Sequence, residues 1–192
     1  MGWRVASMRR SANGWLPSTG HAARMDEICP VDRADAAPSS AIGRRVLALN
    51  NEHAMELSWL DSGRLVQLVE RAFLACRIGT VDAFLLAFDQ DADYDSPNFL
   101  WFHSRYRRFV YVDRIVVARS ARGRGHARRL YGDLFENAFR AGHERVVCEV
   151  NSDPANRASD AFHAALGFRE VGAAMIHGGS KAVRYLARAL TA

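Results

Sequence analysis

Lysine is almost missing from this sequence: Lys181 is the single example, and every other cationic side chain is arginine. That bias reflects the base composition of the coding DNA rather than a chemical demand. Cysteine is scarce too, with Cys29, Cys76 and Cys148 odd in number and widely spaced. This excludes a disulfide framework and a thiolate metal site, and it fits reduced thiols in the cytoplasm. No stretch approaches the ~18 uninterrupted apolar residues of a membrane span, so no membrane partner is expected. His21, His53, His103, His126, His143 and His177 show no metal-ligand spacing, and no metal is expected. The acidic run that begins at Asp89 fails as a calcium loop. Tyr94 stands where glycine is required and Leu100 where glutamate is required, so the run reads as a solvated loop.

What is present suits one globular domain: 192 residues, 49% hydrophobic and 24% charged. The net charge of +5 is unevenly placed. Residues 1–24 hold Arg4, Arg9, Arg10 and Arg24 and no acid, so that segment carries +4. The other 22 basic residues face all 21 acidic ones, leaving +1. A nearly neutral domain lacks the basic face of a phosphate-backbone binder, so no nucleic-acid partner is expected. Residues 1–24 show no periodicity and no apolar secretory core. They read as a disordered basic extension, with the domain running over 25–192.

Within the domain, strands and helices alternate. Residues 27–31 read as a first strand, 42–49 as a helix, and Leu65, Leu68, Val69 and Ala72 as a second helix after Asp61. Runs at 73–78 and 83–88 suggest a hairpin. After a polar connection, Phe109–Val117 is an apolar strand interrupted only by Asp113 and Arg114. Ala127, Leu130, Tyr131, Leu134, Phe135, Ala138 and Phe139 recur at helical spacing up to Gly142. Ala158, Ala161, Phe162, Ala165 and Leu166 repeat that spacing, with Asp153 and Pro154 expected as cap and first turn. Strands at 146–150, 168–175 and 182–187 complete an α/β layered fold.

The most informative segment is Ile115-Val116-Val117, then a loop ending Arg122-Gly123-Arg124-Gly125-His126-Ala127, which runs into the strongest helix. Glycines let backbone N–H groups approach an anion, and the helix dipole favours negative charge there. Arg119, Arg122, Arg124, Arg128 and Arg129 add cations, so the expected ligand carries phosphates. A nucleoside-triphosphate loop is excluded, because Gly125 is followed by His126-Ala127 and not by Lys-Ser/Thr. A dinucleotide fingerprint is excluded as well, because Arg128 occupies the third glycine position. The pattern R/Q-x-x-G-x-G/A is satisfied by Arg122, Gly125 and Ala127.

With that loop, and with Asn156 to Phe168 matching N-x-x-A/S-x-x-F-Y-x-x-x-G-F apart from the tyrosine position, the sequence resembles the GNAT superfamily of N-acetyltransferases. The run from Cys148 to Pro154 resembles an uncharacterised bacterial subgroup. The resemblance implies a GNAT-type fold, α/β, with a mixed, mostly antiparallel sheet flanked by helices. That sheet would open in a V between the strands at 110–117 and 146–150. It implies acetyl-CoA as cosubstrate, an amine acceptor that is a small molecule or a peptide, and compatibility with a homodimer. Backbone groups of Ile115, Val116 and Val117 would pair with the pantetheine arm. N–H groups of Arg122, Gly123, Arg124, Gly125, His126 and Ala127 would cradle the pyrophosphate, with Asn156 and Ser159 also at the cofactor. Protein N-termini, lysines, polyamines, aminoglycosides and amino acids all stay open as acceptors.

Acetyl transfer to an amine needs a base and a proton for the departing thiolate. The family's tyrosine is replaced here by His163, an imidazole able to act as acid. At i, i+3, i+7 it shares a stripe with Asn156 and Ser159, which is expected to face away from the Phe162 core side. Tyr106, Tyr111 and Tyr131 are the other acids to consider. Asp113 and Glu149 each interrupt an apolar strand and are the base candidates; an ion pair with an arginine is the plainer role for Asp113. Phe99, Trp101, Phe102 and Tyr106 offer either an acceptor-pocket wall or a cover for the sheet edge. The alternative to an enzyme is a non-catalytic acyl-CoA-binding or sensing module.

Overall fold

The alternating apolar segments pair into a single seven-stranded sheet. The structure is a computed structural model, and it describes residues 27–153, 155–176 and 181–191. The strands are β1 (Ile28–Pro30), β2 (Leu74–Ile78), β3 (Ala83–Asp89), β4 (Phe109–Val117), β5 (Arg145–Asp153), β6 (Arg169–Ile176) and β7 (Lys181–Ala189). Their order is β1-β2-β3-β4-β5-β7-β6. Every neighbouring pair is antiparallel except β4 with β5, which is parallel. The basic segment 1–24 lies outside the described residues.

Helices cover both faces. On one lie α1 (Arg33–Ala36), α2 (Ala41–Asn51), α3 (Ala54–Leu57), α4 (Ser62–Arg71) and α5 (Pro97–His103); on the other lie α6 (His126–Arg140) and α7 (Arg157–Ala165). Local sequence explains where several begin. The Ser40 hydroxyl accepts from the N–H groups of Ile42 and Gly43, and the Asp61 carboxylate from that of Arg64, each satisfying an orphan donor of a first turn. The expected cap of α7 is corrected: Asp153 ends β5, and Asn156 caps the helix by accepting from Ser159 N–H at 3.0 Å. Asparagine binds that donor as well as aspartate does, and β5 runs three residues further than its apolar stretch. Helices α1, α3 and α5 are too short to show a periodic stripe, and the sequence did not reveal them.

Period-two alternation divides the core. Phe84, Phe88, Phe109, Tyr111, Val147 and Tyr185 point to the α1–α5 face, while Leu85, Val110, Val146, Cys148 and Leu186 point to α6 and α7. The α6 stripe is realised through Leu130, Tyr131, Leu134 and Ala138, but Phe139 lies half in solvent. In α7 the expected apolar stripe is corrected: Ala158, Ala161 and Ala165 are exposed, and His163 is the buried residue. Phe99 and Phe102, also fully buried, pack as core around Phe109 and Tyr111.

Candidate functional site

The parallel pair is short. Only Phe109, Val110 and Tyr111 of β4 stand opposite Arg145, Val146 and Val147 of β5. Beyond them each strand keeps its outer neighbour, β3 or β7, and the two part company. The sheet therefore opens as a V whose vertex lies at Tyr111 and Val147. A cleft of about 1210 Å³ occupies this opening. It joins the glycine loop at one end to Asn98, Tyr111 and Glu149 at the other.

At the loop end, a 3-10 turn (Arg119–Ala121) delivers the chain to Gly123 and Gly125, each with φ of +78°. Side chains disfavour that left-handed conformation, and glycine adopts it freely. A Cβ built on either glycine would meet nothing within 4 Å, so the space beside the loop is open and not filled by packing. No side chain caps α6 at Gly125, which leaves first-turn N–H groups and the helix dipole directed at that space. Arg119, Arg122 and Arg128 line the same end and Arg124 is exposed beside it, whereas the His126 ring is buried. Ile115, Val116 and Val117 lie past the vertex with no strand partner on the β5 side. Asn156 and Ser159 line the cleft from α7. These residues fit a diphosphate followed by an extended arm with main-chain hydrogen-bonding groups.

The two carboxylates are brought to the same cleft in different hydrogen-bonding surroundings. Asp113 accepts from Arg114 Nε at 2.5 Å and from the Tyr94 hydroxyl at 2.6 Å, with its side chain 5% exposed. Arg114 also donates to Asn50 Oδ1 at 2.8 Å, tying the pair to α2. Glu149 accepts from Tyr111 and Asn98. The Tyr185 hydroxyl donates to Asn98 Oδ1 at 3.1 Å, which turns the Asn98 amide N–H groups toward the carboxylate. Glu149 Oε2 is buried with no partner, so the accepted bonds fall on the other oxygen. Burial pushes the Glu149 carboxyl up to about 7; the Tyr111 hydrogen bond opposes the shift and the Asp113 charge adds to it.

His163 departs from expectation. It does share the Asn156–Ser159 stripe, but that stripe faces inward, and the ring is buried against α6 while Phe162 is half-buried. The Tyr131 hydroxyl explains how a polar ring can sit there: it lies 2.8 Å from His163 Nε2. Nδ1 lies 2.8 Å from the Ser159 carbonyl oxygen and 3.2 Å from Ser159 Oγ. Burial lowers the imidazole pKa, which favours the neutral ring.

Residues 51–168 match the model of the Acetyltransferase (GNAT) family. The chain belongs to that family. It is an acyltransferase domain whose acyl donor is acetyl-CoA. No curated protein matches the sequence. Among solved structures, Ard1 from Thermoplasma volcanium superposes with a TM-score of 0.67 at 14% identity, covering 88% of this chain and 100% of that one. The ribosomal-protein-S18-alanine N-acetyltransferase from Escherichia coli gives 0.61 at 15% identity, covering 88% and 96%. The yncA protein from Salmonella typhimurium, solved with its cofactor acetyl-CoA, gives 0.63 at 19% identity, covering 87% and 95%. At these identities the likeness is one of fold, and it agrees with the GNAT sheet and its V.

Sequence reasoning missed four members of this GNAT site. Tyr94 was placed in a solvated loop, yet its ring stacks on Phe88 at 4.4 Å and its hydroxyl reaches Asp113. Asn50, Asn98 and Tyr185 come from α2, α5 and β7, and no local spacing links them to Glu149 or Asp113. Phe99, Trp101, Phe102 and Tyr106 do not line the cleft; Trp101 instead stacks on Tyr185 at 4.1 Å. Among the described residues there is no cluster able to hold a metal ion, and no helix is long and apolar enough to cross a membrane.

Proposed function

We propose that the chain is an N-acetyltransferase that moves the acetyl group of acetyl-CoA to a primary amine of a small molecule or peptide. The observation that carries this reading is Glu149. It is a buried carboxyl with a pKa of about 7 and one unpartnered oxygen, opening onto the cleft that begins at the anion cradle. An amine reaches a protein mostly as ammonium and must lose a proton before it can attack. A carboxylate poised near neutrality accepts that proton efficiently at working pH.

Acetyl-CoA, when bound, supplies a thioester carbonyl activated toward amines. The chain does the rest. Main-chain N–H groups from Arg122 to Ala127, with Arg119 and Arg128, hold the diphosphate. The free edge of β4 at Ile115, Val116 and Val117 and the Asn156 side chain orient the arm along the V. Glu149 binds the incoming amine and takes its proton. Asp113 is a positioning residue in this reading, because Arg114 and Tyr94 already engage its two oxygens. The free thiols of Cys29, Cys76 and Cys148 support a cytoplasmic setting.

A thiol-release assay with acetyl-CoA and a panel of primary amines tests the proposal. Amine-dependent release is expected, together with saturable acetyl-CoA binding by calorimetry. Binding with no release for any amine class would favour a sensing module and overturn the enzymatic reading.

A further inference from the structure

Acetyl transfer leaves a thiolate that needs a proton, and the cleft contains few groups able to give one. Tyr111 is committed to Glu149, Tyr94 to Asp113, and Tyr106 stacks on Phe102 outside the cleft. His163 was the expected acid, and its hydrogen bonds argue against that role. The Ser159 carbonyl beside Nδ1 can only accept, so Nδ1 carries the ring proton and Nε2 is bare. A neutral His163 therefore has no proton facing the cleft. It accepts the proton of Tyr131.

The Tyr131 hydroxyl is also well placed. It lies beside Cys148, the first β5 residue past the vertex of the V. Glu149, the next residue, points to the opposite face of the sheet. Base and phenol thus flank the vertex from opposite sides of the sheet.

We propose that Tyr131 is the proton donor to the thiolate and that His163 is the residue that positions it, an inference resting on the acetyl-transfer reading above. As the carbon–sulfur bond breaks, its electron pair stays on sulfur. The Tyr131 hydroxyl rotates from Nε2 toward the cleft, its O–H bond breaks and an S–H bond forms. The phenolate oxygen then regains a proton from solvent water and turns back to donate to Nε2 of the neutral ring. Glu149 releases to solvent the proton it took from the amine, so protons balance over one turnover.

The test uses the full chain, acetyl-CoA and the best amine of the panel. Tyr131→Phe should lower kcat by about a hundredfold and leave the Kd for CoA, read by calorimetry, within about twofold. Incorporating 3,5-difluorotyrosine at position 131 makes the phenol more acidic at nearly constant size. Burial holds the Tyr131 phenol well above its ordinary value, and fluorination should move the alkaline limb of kcat to lower pH than in the wild type, which a purely structural hydroxyl would not do. His163→Gln retains an acceptor for the phenol and should keep more activity than His163→Leu. Nitrogen NMR should find His163 Nε2 unprotonated. A Tyr131→Phe enzyme within about threefold of wild-type kcat, an unshifted difluorotyrosine profile, or a protonated Nε2 in the neutral ring would each overturn the proposal. Should Tyr131→Phe fail to fold, the difluorotyrosine profile decides alone. An inactive wild-type chain would instead remove the acetyl-transfer reading itself.

Discussion

Replacing Glu149 by glutamine removes a charge while nearly preserving shape, and the site predicts opposite effects on activity and stability. In the folded chain the carboxyl titrates at about 7, against an ordinary value of 4.5. The fold therefore favours the protonated form. That stabilisation is complete below pH 4.5 and is lost as pH rises through 7. The difference of about 2.5 pH units corresponds to about 3 kcal/mol. Glutamine cannot ionise, so the stability of Glu149→Gln relative to wild type should rise by about 3 kcal/mol between pH 4.5 and pH 8. For a domain of this size that is about 6–12 °C in Tm. Activity moves the other way. The wild-type carboxyl is about one-tenth ionised at pH 6 and about nine-tenths at pH 8, so kcat/KM should climb about tenfold over that interval. In Glu149→Gln the break near pH 7 should vanish, leaving only the steady rise of the free-amine fraction, and turnover should fall at least about a hundredfold. Thermal melts at five or six pH values, paired with pH–rate profiles, provide the check. Melting temperatures that stay parallel across pH for the two proteins, or a break near pH 7 that survives in Glu149→Gln, would refute the assignment of an elevated carboxyl at this position.

Gly125→Val should weaken acetyl-CoA binding at least tenfold by calorimetry, about 1.4 kcal/mol, because valine resists φ of +78° and its side chain enters the ligand space. Gly43→Ala should destabilise the chain by about 1–3 kcal/mol in urea titrations, since its Cβ would lie 2.9 Å from the carbonyl oxygens of Ala37 and Asp35. A stabilised Gly43→Ala would mean that α1 yields easily. Arg114→Leu strands the Asp113 carboxylate in a site where both side chains are about 5% exposed or less, and should cost about 3–5 kcal/mol. Adding Asp113→Leu should recover most of that loss, and failure to recover would show that the pair is not the cause.

Much of this molecule could be read from residue order because its signals are local. The strand Phe109–Val117 was delimited to the residue by the apolar run and its flanking polar segments. The turn through Gly123 and Gly125 into α6 was legible for the same reason, since the glycines and the start of the helical stripe lie within a dozen residues. Glu149 and Asp113 stood out as charges in apolar strands, but their difference did not. Their surroundings are set by Arg114, Tyr94 and Asn50 for Asp113, and by Tyr111, Asn98 and Tyr185 for Glu149, partners contributed largely by elements far apart in the chain. His163 was misread because helical spacing ranks positions by apolarity. An imidazole with a phenol across from it and a carbonyl behind it can be buried where alanines at neighbouring positions are not.

The three-residue contact between β4 and β5 also bears on how the enzyme lives in a cell. Past the vertex, two strands in the middle of the sheet run as interior edges, and the halves β1–β4 and β5–β7 meet along a seam with few main-chain bonds of its own. An extended arm bound in that seam would act as an eighth strand. Amides near residues 113–117 and 149–151 should then exchange with deuterium more slowly in the presence of CoA than without it. At a hundredfold excess over its Kd the ligand adds about 2.7 kcal/mol to the stability of the whole domain. Ligand in the seam would thereby protect the domain, and limited proteolysis should cut the chain faster without CoA than with it.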